Sequence, residues 1–179
     1  MTKSSDPLSN LEFKEGGAGG DFIKFVAGKP IKIRVFTVNP TIHINNYGKE
    51  QISFAVWNWD EDKAMILSKG ASIAKQISAI HRDEDFGADI TKIDIKITPT
   101  GEGMEREYAI NPLPKPMDLN DGQEEALAEL DKKLDTIFKG SVRAADYNAG
   151  KKPAKPDFNP ERDIERIEGE PINLDSIPF

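Results

Sequence analysis

Residues 51–67, QISFAVWNWDEDKAMIL, constrain the fold more than any other stretch of the chain. Apolar residues occupy both parities of its first half, and one parity carries both tryptophans, Trp57 and Trp59. Side chains of a strand alternate between the faces of a sheet, so the pattern predicts a strand that is apolar on both faces. The acidic turn at residues 60–62 and the alternation after it predict a hairpin. Such a sheet either packs against a partner on each face or presents aromatic rings to a ligand.

The remaining periodicity predicts a small β-rich domain. Strands are expected at residues 31–36, 52–59, 64–67, 93–97 and 107–110, a short strand or loop at 41–44, and helices around 73–80 and at 121–138, the latter capped by Asn120 or Asp121. Five strands with a helix between the third and the fourth are the order of an OB-fold, a Greek-key barrel that binds oligonucleotides or oligosaccharides. We therefore predict a mainly β, five-stranded OB-fold barrel with a further C-terminal helix.

The chain is expected to divide into four parts. The GGAGG sequence at residues 16–20 ends a flexible N-terminal segment, and a proline- and lysine-rich stretch begins the C-terminal part. The predicted parts are a flexible segment at residues 1–20, an OB-fold domain at 21–118, a helix on or beside the core at 119–140, and a flexible linker with a disordered acidic tail at 141–179.

Composition excludes several kinds of site. The 179 residues include no cysteine and two histidines, His43 and His81, so we expect no disulfide, metal site or cofactor. The N-terminus lacks the apolar core of a signal peptide, and no stretch approaches the roughly 20 apolar residues that cross a membrane. We expect a soluble, cytoplasmic protein with no membrane partner.

Catalytic machinery is not expected. No nucleophile lies at the spacing from a base that a known catalytic motif requires, so we predict that the protein is not an enzyme. Asp89, Asp94 and Glu107 are the acidic set that we considered for two-metal nuclease chemistry. The acidic residues at 83–89 do not follow the ligand spacing of an EF-hand and are interpreted as a solvated loop.

The net charge of −7 is unevenly distributed. Residues 1–118 hold 15 Lys and Arg against 17 Asp and Glu, a net charge of −2, whereas residues 119–179 hold 9 against 14, a net charge of −5. A negative chain is not the usual partner of nucleic acid. Because the acidic residues are concentrated toward the C-terminus, the net charge of the whole chain says little about the charge on the surface of the core domain.

Aromatic and cationic residues of the core suggest a binding surface. Rings at Trp57 and Trp59 would lie roughly 7 Å apart along a strand, close to the spacing of bases in an extended single strand. The predicted DNA-binding residues are Trp57, Trp59, Tyr47, Tyr108, Lys29, Lys32, Arg34, Lys69 and Lys96. Two alternatives stay open: one tryptophan belongs to the core while the other covers the end of the barrel, and the cations are merely solvated.

Three motifs carry a resemblance to a known family. They are DFIKFVAGKPIKIRVF, then FAVWNWDEDKAMIL followed by IAKQISAI, and finally DITKIDIKITPTGEGMEREYAINPLPKP, together covering about residues 21–116. In this order they resemble bacteriophage single-stranded-DNA-binding proteins of the OB-fold class. The resemblance implies sequence-independent binding of single-stranded DNA during DNA replication, recombination and repair in an infected bacterial host. The structural zinc of the T-even relatives is not expected in a chain without cysteine.

The C-terminal residues carry a second resemblance. The ending LDSIPF is similar to the acidic tip of bacterial single-stranded-DNA-binding proteins, which ends in DDIPF and docks replication and repair enzymes. The resemblance implies that Asp175, Ile177, Pro178 and Phe179 bind such partners, with the phenyl ring entering a pocket and the acids steering the approach. The alternatives to DNA binding are an OB-like protein-interaction adaptor and a DNA-processing nuclease.

Overall fold

The computed structural model describes residues 21–155, apart from the side chain of Met104. Its strands are β1 Ile31–Val35, β2 Thr41–Ile44, β3 Glu50–Asn58, β4 Lys63–Lys69, β5 Asp94–Thr100, β6 Glu107–Pro112 and β7 Val142–Arg143. Its helices are α1 Ala71–Arg82, α2 Asp121–Ile137 and α3 Ala144–Asn148, with single 3₁₀ turns at Glu84–Phe86, Ile90–Lys92 and Gly103–Glu105. The predicted terminal segments, 1–20 and the acidic tail with Asp175, Ile177, Pro178 and Phe179, lie outside the described residues.

The strands form one antiparallel sheet in the order β6-β5-β1-β3-β2-β7, with β4 on the other edge of β3. β3 is long enough to pair with two strands on one edge: Ser53 lies opposite Thr41 of β2, and Val56 lies opposite Val35 of β1. The sheet has seven strands where five were predicted, and α1 lies between β4 and β5; the predicted mainly β architecture is confirmed. Closure into a barrel is not, because within residues 21–155 no ladder joins β4 to β6 and the sheet stays open.

The N-terminal residues 21–25 cover the free edge of β4. Phe22 forms a parallel bridge with Ile66, and the Ile23 amide donates to the Ile66 carbonyl at 2.9 Å. The Ile66 amide in turn donates to the Asp21 carbonyl at 2.7 Å. Since an exposed strand edge is a row of unpaired polar groups, this segment removes part of the edge from water.

Gln76 of α1 plays the same role for β6. Its side-chain amide donates to the Tyr108 carbonyl at 3.0 Å, and its side-chain oxygen accepts from the Ile110 amide at 3.3 Å. One glutamine therefore replaces the two bonds that a neighbouring strand would make. We call the gap between β4 and β6, occupied by residues 21–25 and Gln76, the seam.

Replacing Gln76 with alanine is expected to lower the free energy of unfolding by about 1–3 kcal/mol, because two backbone groups of β6 lose their partner. Urea denaturation followed by circular dichroism measures the change. Lys75→Ala is the matched control, since Lys75 is the exposed neighbour on the same helix. Equal stabilities of the two variants would contradict the proposed edge-covering role.

Apolar side chains pack on both faces of the sheet, as the tryptophan-bearing strand requires. The inner face holds the larger core, in which Ile33, Ile95 and Ile97 are fully buried and α1 contributes Ile73 and Ile77. On the outer face, α2 lies across β3 and β4. Its residues Leu130 and Leu134 form a second cluster with Ala55 and Ile66, and Leu127 is also fully buried.

The position of α2 follows from a capped amphipathic sequence. The Asn120 side chain accepts from the Gln123 amide at 2.9 Å and the Gln123 side chain accepts from the Asn120 amide at 2.9 Å, a complete capping box. The predicted capping by Asn120 is therefore confirmed. Thr37 ties the helix to the sheet, because its hydroxyl donates to Asp131 at 2.7 Å and accepts from the Ala55 amide at 2.8 Å.

The linker predicted from residue 141 differs from the structure up to residue 155. Val142–Arg143 pair with β2 as β7, and α3 follows. The Arg143 guanidinium bonds to Asp135 at 2.9 Å and to Asp131 at 3.3 Å, so β7 is fastened to α2. Composition alone favoured a linker, but Arg143 bonds to two carboxylates that lie one turn apart on α2.

His43 of β2 is a buried structural residue. It is 8% exposed, and its ring stacks on Phe138 at a centroid distance of 4.0 Å. Burial lowers the pKa of His43 to about 4 from the ordinary 6.5.

A histidine that is neutral in the native state and charged in the unfolded state destabilises the fold as the pH falls. We expect the contribution of His43 to be complete above pH 6.5 and to be lost between about pH 6.5 and pH 4, by a few kcal/mol at most. The measurement is urea denaturation at pH 7.5, 5.5 and 4.5. In His43→Phe, which retains an aromatic ring, the free energy of unfolding should fall less steeply with pH than in the wild type. An equally steep fall would exclude His43 as the cause.

Within the described residues, none of the helices has the length and apolar character needed to cross a membrane.

Candidate nucleic-acid interface

Trp57 does not present its ring at the surface. The residue is 7% exposed, and its indole nitrogen is buried without a hydrogen-bond partner in the described part of the chain. The prediction that Trp57 offers a platform for bases is therefore wrong. It lies on the same outer face of β3 as Ala55, which α2 covers, so the alternative of a core tryptophan describes it correctly.

Trp59 follows the end of β3 and remains partly exposed. Its indole nitrogen donates to Oδ1 of Asp94 at 2.8 Å, which fixes the ring. The centroids of the Trp57 and Trp59 rings lie 6.4 Å apart at an interplanar angle of 68°. The spacing is near the predicted one, but the rings are edge to face and do not form two parallel platforms.

Asp94 is the centre of a buried polar cluster. The residue is fully buried, and Oδ1 also accepts from Nε of Arg34 at 2.8 Å. Oδ2 accepts from the Met117 amide at 2.6 Å, and Nη2 of Arg34 donates to the Met117 carbonyl at 2.6 Å. The cluster therefore joins β1, β5, Trp59 and the segment that leads to α2.

The prediction that Arg34 contacts phosphate is wrong in this structure. Arg34 is 6% exposed and lies directly opposite Asp94 in the β1–β5 ladder. Its guanidinium is paired with the Asp94 carboxylate and donates to the carbonyls of Thr91 and Met117, so it has few donors left for a ligand. The acidic residue Asp94, on the same parity of β5 as Lys96, was the signal for this pairing.

The part of the outer sheet face that α2 leaves uncovered carries unpaired positive charge. Lys32 of β1 lies directly opposite Lys96 of β5, and Lys96 lies opposite Asn111 of β6. Lys32 is exposed and Lys96 half-buried, and neither has an ion-pair partner among residues 21–155. We call the surface formed by Lys32, Lys96 and Asn111, with Trp59 at its border, the open face.

Two features of the open face favour an anionic aromatic ligand. Like charges directly opposite each other in a sheet are unfavourable unless something neutralises them. The Trp59 amide donates to the Lys32 carbonyl at 3.0 Å, so the backbone of Trp59 is held beside that of Lys32. Asp60 is an acidic neighbour of Lys32, and its carboxylate accepts from the Lys32 amide at 2.9 Å.

A second group of predicted residues meets at the seam. The ammonium of Lys69 lies 5.3 Å from the ring centroid of Phe25 and 5.7 Å from that of Tyr108. The two rings contact each other edge to face, with centroids 4.9 Å apart. Phe25 was missed as a site residue because its alternation with Ile23 indicates only a core strand.

The last two predicted residues lie on loops. Tyr47, at the tip of the β2–β3 connection, is 88% exposed. The side chain of Asn45 orders this loop, accepting from the amides of Tyr47 and Lys49 at 3.0 Å each. Lys29 is exposed in the turn before β1, next to Gly28, whose amide donates to the Pro99 carbonyl at 2.9 Å.

The acidic residues considered for nuclease chemistry do not converge. Asp94 is aligned with Arg34, whereas Glu107 is aligned with Thr100, six residues further along β5, or roughly 20 Å. Asp89 caps a 3₁₀ turn by accepting from the Thr91 amide, and a second bond from the Thr91 hydroxyl lowers the pKa of Asp89. Across residues 21–155, no three His, Cys, Asp or Glu side chains are grouped in a way that could hold a metal ion.

No protein-family model, curated protein or solved structure matches this chain. The geometry of the described residues and the resemblance of the sequence motifs are therefore the basis for a functional proposal.

Proposed function

We propose that the protein binds single-stranded DNA without sequence preference and that the open face is its principal contact. The observation that carries the proposal is the pair of unneutralised lysines, Lys32 and Lys96, beside the partly exposed indole of Trp59. Lysines supply sequence-independent contacts to phosphates, and an indole accepts any base on its π face. This combination suits a polymer that presents phosphates and unstacked bases together.

The strand arrangement supports a partly open OB-type fold. β1 and β2 pair with the same edge of β3 and act as one interrupted strand, which leaves five strand positions besides the two-residue β7, with α1 between the third and the fourth. The seam lies where an OB barrel closes its last edge. In OB-folds the face of the second and third strands takes part in ligand binding. Here those strands are β3 and β4, and because α2 covers them, the ligand is assigned to the adjacent open face.

The wider role rests on the motif resemblance. We propose that the protein protects single-stranded DNA during phage DNA replication, recombination and repair in the cytoplasm of the bacterial host. The residues Asp175, Ile177, Pro178 and Phe179 would recruit partner enzymes through an apolar ring and preceding negative charge.

A salt titration tests the proposal against its two alternatives. The full chain is titrated with an oligothymidylate and with a duplex of equal length while tryptophan fluorescence is recorded. We expect quenching by the single strand, with an affinity that falls as salt rises by a slope of about −0.7 per phosphate contact. An adaptor would give no quenching at any salt concentration. A nuclease would shorten the oligonucleotide when magnesium is added, and either result would overturn the proposal.

A further inference from the structure

A cleft of about 490 Å³ lies at the seam, apart from the open face. The beginning of α1 forms one wall and the beginning of β6 with its preceding turn forms the other. Its principal side chains are those of Lys69, Ser72, Gln76, Arg106, Glu107 and Tyr108. The volume falls within the roughly 300–1,000 Å³ that is typical of small-molecule sites.

The charges around the cleft favour an anion. Lys69 and Arg106 contribute two positive charges against one negative charge from Glu107. Lys69 contacts aromatic rings and has no carboxylate partner within residues 21–155.

Arg106 holds an unused donor. Nη1 donates to the Phe25 carbonyl at 3.1 Å, but Nε is buried and lacks any hydrogen-bond partner in the described structure. A buried donor without a partner is unfavourable, and the donor here belongs to a charged group. Because Arg106 lines the cleft, a bound anion that draws its guanidinium toward the cleft would supply an acceptor for this donor.

The backbone adds donors on the opposite wall. Gly70 is the N-cap of α1 and provides no side chain to bond the first amides, and the first turn contains no acidic residue. The amides at the start of this twelve-residue helix are therefore available to an acceptor, and the helix dipole favours negative charge there.

Tyr108 gives the cleft an aromatic wall that is held in place. The Phe25 ring contacts it edge to face, and Gln76 bonds to its carbonyl. A cation pair, free amides and a fixed ring are the elements that recognise a phosphate attached to a base.

We infer that the seam cleft binds a nucleotide phosphate through Lys69, Arg106 and the first amides of α1, with the base or sugar against Tyr108. The inference deepens the proposed function and rests on it for the source of the phosphate, which is the bound DNA strand. A free nucleotide carries the same chemistry, so the experiment includes both.

Amide chemical shifts in the full-length, isotope-labelled protein test this inference. The probes are thymidine monophosphate, thymidine, inorganic phosphate and an oligothymidylate. We expect saturable shifts at Gly70, Ala71 and Ser72 with the monophosphate and with the oligonucleotide, smaller ones with inorganic phosphate, and none with thymidine. Shifts at Lys32, Lys96 and Trp59 report separately on the open face.

Lys69→Gln combined with Arg106→Gln should weaken binding of the monophosphate at least tenfold, while open-face shifts with the oligonucleotide persist. Lys75→Gln, on the exposed side of α1, is the matched control, and Arg106→Lys retains the charge in case the double variant unfolds. Absence of saturable shifts at residues 70–72, or their persistence in the double variant, would overturn the inference alone. An oligonucleotide that perturbs neither surface would overturn the proposed function as well.

Discussion

Replacing Asp94 with asparagine is expected to lower the free energy of unfolding by about 3–5 kcal/mol, the largest stability effect of any single change proposed here. The substitution keeps the size of the side chain and removes its charge. Arg34 then remains as a buried cation, 6% exposed, without a carboxylate. Removing one partner of a buried pair is strongly destabilising because the other charge stays desolvated.

The effect is also expected to spread through the cluster. Asp94 accepts from Trp59, Arg34 and the Met117 amide, and an asparagine oxygen can replace only part of these bonds. Urea denaturation with far-ultraviolet circular dichroism measures the loss. Asp118→Asn is the matched control at an exposed position, where the change should stay within about 0.5 kcal/mol. A loss below 1 kcal/mol at Asp94 would contradict the structural role that we assign to the pair.

Replacing Lys32 and Lys96 together with glutamine is expected to weaken oligothymidylate binding by about 10- to 100-fold at low salt. If each lysine neutralises one phosphate, the slope of log affinity against log salt should become shallower by about 1.4, since a single strand contributes about 0.7 per phosphate. Fluorescence anisotropy of a labelled oligonucleotide at several salt concentrations measures both quantities.

The same double variant should not be less stable than the wild type. The two lysines lie directly opposite each other, so their removal relieves a like-charge contact. Loss of affinity with unchanged stability is therefore the expected pair of results. Lys75→Gln with Lys132→Gln removes two exposed charges elsewhere and should leave the affinity close to that of the wild type at moderate salt. Equal affinities of the two double variants would show that the open face has no special role.

Local sequence patterns predicted the individual strands and helices better than they predicted which of these elements pack together. Alternation gave the long strands, and the apolar stripe with Asn120 gave α2, because both follow from the geometry of a single element. Parity also placed Trp57 and Ala55 correctly on one face of β3. It could not reveal that α2 lies on that face, since the helix and the strand are more than 60 residues apart in sequence.

The candidate site was predicted only in part, because local patterns do not reveal contacts between residues that are distant in sequence. Exposed cations such as Lys32 and Lys96 were identified by residue type and parity. Arg34 has the same parity as Lys32, but it faces Asp94 across the ladder, and this register is set by long-range pairing. The seam was not predicted, because the contact of Gln76 with β6 and that of Phe22 with β4 each join residues more than 30 positions apart in sequence.

The most direct test of the central claim compares fluorescence quenching in two single-tryptophan variants. In Trp57→Phe the remaining indole is Trp59, on the border of the open face, whereas in Trp59→Phe the remaining indole is Trp57, which is 7% exposed. If unpaired bases stack beside Lys32 and Lys96, saturating oligothymidylate should quench Trp57→Phe strongly and Trp59→Phe weakly. Strong quenching of Trp59→Phe together with an unchanged signal from Trp57→Phe would contradict binding at the open face.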